Sequence, residues 1–500
     1  MNEYINIKNN QAIPLSSIPV LDYEKFMLIN VDFLKDSAFH CVNYFGRVED
    51  DNLRLCCCMA NDKNATISVS SCVLSKFREL MLPSFSAQHF SFHIFEREIH
   101  ENFGLKYSDH PWLKPVRYPF NGANKNSVIE NYPFYRIDSE QLHEVGVGPI
   151  HAGIIEPGHF RFICNGEQIL HLEIQLGYQH RGVENLFLQK KNLLQRNILA
   201  ESIAGDTVVG HNTAFSNLWE GLCGFSAGND LKLARTVALE MERTGIHTGD
   251  LSAICTDVAY QLGSSVFGRL RTPIINAMQV WCGNRLSKGL IRAFRNQYPL
   301  TRELADYLLN VLATYEPDFT EMYNRMKNLP SVLARLEKTG VVTSEQASSI
   351  GAVGMSARMC GIPRDIRASH PHDLYASFHH EPVLKHHGDV YSRTQVRKSE
   401  IMQSMAYIRN LLTNLPEVET REFSQTPETN AFIISLVEGW RGEICHCAMT
   451  DSSGELSLYK IKDPSMHNWL ALALAVRNNE ISDFPICNKS FNLSYCGHDL

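Results

Sequence analysis

A chain of 500 residues with net charge -7, 44% hydrophobic and 20% charged residues, folds but is too long for one ordinary core, so two or three domains are expected. The negative balance offers no positive field for phosphates, which argues against nucleic-acid binding. No apolar run nears the ~20 residues of a membrane helix. MNEYINIKNN also lacks the basic-then-apolar order of an export signal, so a cytoplasmic chain that meets a membrane only through partners is expected.

Residues 1 to about 120 read as a first unit. Leu53 to Cys58 and Ala65 to Val73 have strand character. Phe92, Phe95, Ile99 and Phe103 recur at helical spacing, Gly104 is placed to cap that helix, and Glu96, Glu98, His100 and Glu101 form its expected solvated face. Pro111, Pro115 and Pro119 force an extended exit. Residues 121–140, polar and rich in asparagine, read as a linker.

Gly148 to Glu184 then reads as a turn followed by a β-hairpin closed at Asn165-Gly166. Phe160 and Phe162, with Leu170, Leu172 and Ile174, mark an apolar face; Arg161, His171 and Glu173 mark the other. His151, Glu156 and His159 precede the hairpin, and His180, Arg181 and Glu184 follow it. Such a density of proton-exchanging groups suits either a redox or proton-transfer site or a solvated surface hairpin.

The rest is mainly helical. Helices are expected over Leu188 to Leu199, Asn212 to Leu222 and Asp230 to Ala259, the last with Leu233, Val237 and Met241 as its stripe. Leu304, Leu308, Val311, Leu312 and Tyr315 form another stripe that Pro317 should interrupt. Thr343 and Gln346 make a capping box. Gly351 to Tyr391 reads as an irregular loop holding Arg358, Arg364, Asp365, Arg367 and six histidines, His370, His372, His379, His380, His386 and His387; a metal site and a solvated loop both fit. Gly442 to Met449 and Leu456 to Lys462 form a second hairpin, and Met466 to Val476 a last helix. Long helices with short connections suggest a bundle with hairpins across one end. The fourteen cysteines include no Cys-x-x-Cys pair, so buried thiols are expected, as at Cys56 to Cys58 and at Cys445 and Cys447.

The runs GPIHAGIIEPGHFRF and HLEIQLGYQHRGVE, with ERTGIHTGD, GIPRDIRASHP, GDVYSR and KDPSMHNW in order behind them, resemble the large subunit of membrane-bound, energy-converting [NiFe] hydrogenases and the homologous quinone-site (49 kDa) subunit of complex I. EREIHENFGLKYSDHPWLKPV is similar to the small 30 kDa subunit of the same enzymes, here fused in front. The resemblance implies an α+β chain: an α/β domain of the complex I 30 kDa type over 1–120, a linker over 121–140, and over 141–500 a mainly helical bundle domain with peripheral β-hairpins.

In the hydrogenases an Arg-x-Cys-Gly-x-Cys and an Asp-Pro-Cys-x-x-Cys motif supply four thiolates to nickel and iron. Laid on this chain, the ligand positions fall on Ala204, Thr207, Ser494 and Gly497, with Cys496 between two of them and Cys223 beyond. Methyl, hydroxyl and hydrogen do not replace soft thiolates, so no nickel–iron centre is expected. The resemblance instead implies Glu156, His151 and His159 as proton-transfer and acceptor-side residues. Around them it implies a cavity lined by His180, Arg181, Glu184, Asp206, His211, Arg358, Arg364 and Asp365. It further implies a quinone as the acceptor, an Fe-S cluster in a small partner subunit, membrane antiporter-like partners, and a place on the cytoplasmic face of the membrane. A coupling or scaffold subunit without redox turnover and a hydrogenase remain the alternatives. No Gly-x-Gly-x-x-Gly loop is present, so nicotinamide binding is implied only for the whole complex.

Overall fold

The computed structural model describes residues 3–418 and 425–500. The chain is mixed α/β with several sheets. In the first, Phe39–Glu49, Asn52–Asn61 and Thr66–Ser75 form an antiparallel meander; Ile5–Ile7 pairs antiparallel and Val20–Leu21 parallel to the last strand. The two strands expected here are present and longer than their apolar runs. Period-two alternation sends Leu53, Leu55, Cys57 and Met59 into one core with Phe92, Phe95 and Ile99. Cys56, Cys58 and Ala60 face the opposite way, into a core shared with Phe432, Ile434, Cys445 and Cys447 of a second sheet. All of these thiols are buried and free.

The helix His93–Phe103 ends at Gly104, whose φ of 77° makes it the left-handed cap anticipated from sequence. Its polar face is not solvated, however. Glu96 accepts from the Phe85 and Ser86 backbone N–H groups and the Ser84 hydroxyl, while Glu98 pairs with Arg117 and with Lys460 at 2.9 Å. Carboxylates at helical spacing look like a surface stripe until partners distant in sequence cover them.

The hairpin is present as His159–Asn165 and Gln168–Gln175, with His143–Val147 as a third strand. Asn165 pairs with Gln168, so the turn residues are Gly166 and Glu167, with φ of +56° at Gly166. A register shift at Ile163/Cys164 moves Ile169 into the core and leaves Leu170 36% exposed, the reverse of strict alternation. The segment 121–140 holds turns and one short 3-10 helix, Ile129–Asn131, and is tied to the sheet where Gln175 donates to Ile129 O at 2.5 Å.

Behind these lie Asn229–Asp257, Gln261–Cys282, Arg302–Lys327 and Val390–Thr413, whose apolar stripes build the largest core, and Val208–Leu222, which sends Phe215, Leu218, Trp219 and Leu222 into a separate one. The helix expected over 188–199 is two, Val183–Gln189 and Leu193–Ala200, the second capped by Asn192. Pro317 does not end its helix: Phe319, Met322, Tyr323 and Met326 bury the turns beyond it, and that packing outweighs one lost backbone hydrogen bond. The second sheet is not peripheral. Ala431–Glu438 and Glu443–Thr450 are buried along their whole length between the 208–222 helix and the first sheet; Leu456–Lys462 and Ile13–Pro14 flank them. The capping box at Thr343 and Gln346 is present.

Candidate functional site

Two segments far apart in sequence meet beside the second sheet. One, from Ala204 to His211, is the turn into the 208–222 helix; the other runs from Asn492, in the left-handed region, into the short helix Tyr495–Asp499, which Ser494 caps by accepting from Gly497 N at 2.9 Å. Arg441 clamps them together. Its two terminal nitrogens each reach an Asp206 carboxylate oxygen at 2.7 Å, Nη1 also reaches Thr207 Oγ1 at 3.0 Å, and Nε donates to Asn492 O at 2.5 Å. Trp440 lies under the guanidinium at 3.9 Å, and its indole N–H donates to Asp206 O.

Arg441 is aimed by a tight turn in which Gly439 and Gly442 bond to each other through both backbone groups. Gly442 packs on Gly354: a Cβ there would lie 2.6 Å from Gly354 Cα, and its φ of 141° favours glycine besides. From the other side Arg181 donates to Ser202 O, Ile203 O and Cys496 O at 2.6–3.1 Å, so two arginines tie the same pair of segments.

The interior of the site is acid-rich. Asp463 accepts from Ser465 N at 2.8 Å and from His211 Nε2 at 3.0 Å; burial alone would raise its carboxyl, but His211 and Arg441 hold it down at about 2. Glu242 accepts from Val209 N and Gly210 N at the helix start, and desolvation, with Asp206 nearby, pushes it up to about 8. Glu156 is half-buried at the rim, where burial and its charge push the Cys496 thiol up to about 11.

These residues do not fit a nickel–iron centre. Ala204, Thr207, Ser494 and Gly497 offer no thiolate, and Cys496 is a single thiol held in its protonated form. The space is also taken: a Cβ on Gly497 would lie 2.8 Å from Asp463 Cγ, and the Thr207 hydroxyl is engaged by Arg441. Among the described residues no group of three His, Cys, Asp or Glu side chains is arranged to hold a metal, the histidine-rich 370–387 stretch included.

The sequence-derived residues fall into four places. Asp206, His211 and Arg181 lie in the site and Glu156 at its rim. His151 and His159 hold the preceding loop on itself, bonding Gly158 O at 2.9 Å and Gly148 O at 3.0 Å; that loop exposes Ile150 and Ile154, at 84% and 87%. His180 and Glu184 line a separate cavity of about 170 Å³ with Glu98, Arg117, Tyr459 and Lys460. Arg358 and Asp365 belong to a buried ion cluster, while Arg364 donates to Ala352 O and Phe39 O. Sequence reasoning did not single out Arg441, Trp440, Asp463 or Glu242. The signal for Arg441 is a Gly-Trp-Arg-Gly turn between two apolar runs, where a charged residue has no bland reason to be buried.

Residues 263–432 match the family described as respiratory-chain NADH dehydrogenase, 49 Kd subunit. Hydrogenase-4 component G of Escherichia coli K12 is 27% identical over 368 residues, covering 73% of this chain but 63% of that relative, so the chain spans less than two thirds of it. The carbon monoxide-induced hydrogenase of Rhodospirillum rubrum is 26% identical over 70% of this chain and 97% of its own. The NADH-quinone oxidoreductase C/D polypeptide of Phocaeicola vulgatus is 25% identical over 78% and 81%. No helix among the described residues is long and apolar enough to cross a membrane.

Proposed function

For a chain related to the large subunits of membrane-bound hydrogenases and to the C/D polypeptide of NADH-quinone oxidoreductase, we propose a role as the acceptor-site subunit of a complex I-like assembly, with residues 1–120 as a 30 kDa-type domain and 141–500 as the large-subunit domain. It would be a peripheral subunit on the cytoplasmic face, docked on a small Fe-S subunit and on antiporter-like membrane subunits. Electrons would reach a quinone or similar acceptor at the rim marked by Glu156. The observation that carries this reading is the pairing, in one place, of a carboxyl at a half-buried rim with an interior acid and histidine, Asp463 and His211, that can exchange protons. The exposed isoleucines beside His151 would face a partner.

The test is quinone-dependent electron transfer by the purified assembly. Glu156→Gln should reduce it by roughly 100-fold if that carboxyl passes the proton, with assembly on a native gel unchanged. A second reading, a coupling or scaffold subunit without turnover, is favoured by the clamp that fills the space between the two segments. It predicts no quinone reduction by the wild-type assembly and ion transport that Glu156→Gln leaves intact.

A further inference from the structure

His446 stands in the middle strand of the second sheet, fully buried, with its ring toward the 208–222 helix. Its Nε2 lies 3.1 Å from His211 Nδ1, and its Nδ1 lies 2.8 Å from the Tyr459 hydroxyl. His211 Nε2 in turn lies 3.0 Å from Asp463 Oδ2. Tyr459, Lys460, His180 and Glu184 line the 170 Å³ cavity between the first unit and the rest, which has room for several waters. We propose that Tyr459, His446, His211 and Asp463 form a proton conduit from this cavity to the candidate site, separate from the Glu156 rim.

The direction of each bond follows from counting donors. Asp463 is a carboxylate, so His211 donates from Nε2, and in a neutral His211 the Nδ1 is then an acceptor. That acceptor needs the His446 Nε2 proton, which leaves His446 Nδ1 to accept from the tyrosine O–H. In that arrangement Tyr459, His446 and His211 carry one proton each, Asp463 carries none, and every acceptor is filled. Burial and the neighbouring His211 keep His446 well below the usual histidine range, so it does not trap charge.

Transfer balances without storing a charge on either ring. A proton from cavity water arrives at the Tyr459 oxygen as the hydroxyl proton passes to His446 Nδ1. The Nε2 proton of His446 then moves to His211 Nδ1, and that of His211 moves to Asp463. One proton is lost at the cavity, and because Asp463 is held down at about 2 it takes that proton only as it passes it on to the acceptor being reduced. Both imidazoles are left protonated at Nδ1, and the chain takes a second proton only after each has returned to the Nε2–H tautomer by proton exchange. A purely structural chain would need no cavity at its outer end.

The inference rests on the acceptor-site reading, and its test separates the two. Tyr459→Phe keeps the ring stacked on Phe187, with centroids 4.1 Å apart, and removes only the hydroxyl. In the purified assembly, reduced by dithionite and turned over with a short-chain quinone, this variant should slow turnover roughly tenfold. It should also raise the H2O/D2O rate ratio, with cluster reduction seen by electron paramagnetic resonance unchanged. An unchanged rate and isotope ratio beside a slowed Glu156→Gln overturns the conduit and leaves the acceptor site standing. If the wild-type assembly reduces no quinone, the acceptor-site reading fails and ring nitrogen-15 spectra decide the conduit. His211 and His446 both neutral and protonated at Nε2 support it; an imidazolium or an Nδ1 proton on either overturns it.

Discussion

Two buried polar regions of this chain, about equally rich in acids, are built on opposite rules. In the first, Glu240, Glu400, Asp365 and Glu438 surround Arg243, Arg358 and Arg367, and every carboxylate meets at least one arginine at 3.9 Å or less. Three cations against four acids leave one negative charge over, and it is relieved at Glu438, which burial and Asp365 push up to about 7. In the second region, around Arg441, acids are matched singly: Asp206 to Arg441, Asp463 to His211, with Glu242 held by backbone N–H groups and Glu156 left at the rim. The arginine cluster fixes helices in place and leaves only Glu438 to exchange a proton. A site matched one to one can move a proton without collapsing.

The contrast breaks hardest at Glu400, which takes Arg358 at 2.6 Å, His247 at 2.8 Å and Arg243 at 3.4 Å. Glu400→Ala leaves His247 without its carboxylate and takes one of several acceptors from Arg358 and Arg243, and should cost about 3–5 kcal/mol in urea unfolding. Next comes the turn that aims Arg441. Gly442→Ala meets the Gly354 backbone at a φ that alanine avoids, and about 3 kcal/mol of destabilisation is expected from a thermal scan. Arg441→Lys keeps the charge but loses the fork on Asp206 and the bond to Asn492 O. A loss of about 2 kcal/mol is expected, with faster hydrogen exchange confined to residues 204–211 and 492–499. If exchange instead rises across the whole bundle, Arg441 belongs with the arginine cluster and the contrast is wrong.

Much of the architecture is legible in the sequence because it is periodic. The 93–103 helix, the Gly104 cap, the hairpin and the 229–257 stripe each follow from local spacing. What sequence hid is non-local. Glu98 looks exposed until Lys460, from the far end of the chain, reaches it. Leu170 and Ile169 exchange faces because of one bulge, which no alternation rule reports. Pro317 is carried through its helix by packing beyond it. The candidate site was half legible: Asp206, His211 and Arg181 came from motif positions. Arg441 and Asp463 become visible only when the second sheet is laid against the 204–211 turn. His180 and Glu184, close to Arg181 in sequence, line another cavity, and His180 Nδ1 also lies 2.8 Å from Asp499 O.

The smallest effect expected is at the seam between the first sheet and the second, where His40 tests an intermediate case. It contacts Glu443 at 2.6 Å and Asp62 at 3.4 Å, and Glu443 is held also by Lys462. Burial alone would lower His40, yet Asp62 and Glu443 outweigh it and its folded value is raised. Burial would likewise raise the two carboxyls, but Lys462 and His40 hold Glu443 down, and His40 and Arg364 hold Asp62 down. The histidine's contribution is therefore complete below its ordinary value of 6.5 and fades as pH rises through the higher folded one. The carboxyls contribute fully above their ordinary 4.5 and 3.8 and lose it as pH falls through lower folded values. His40→Gln should thus cost about 1 kcal/mol at pH 5 to 6, the gap from wild type closing on both sides. A gap that is flat from pH 4 to 9 would mean that His40 is held by packing alone and that this seam has no exchangeable proton.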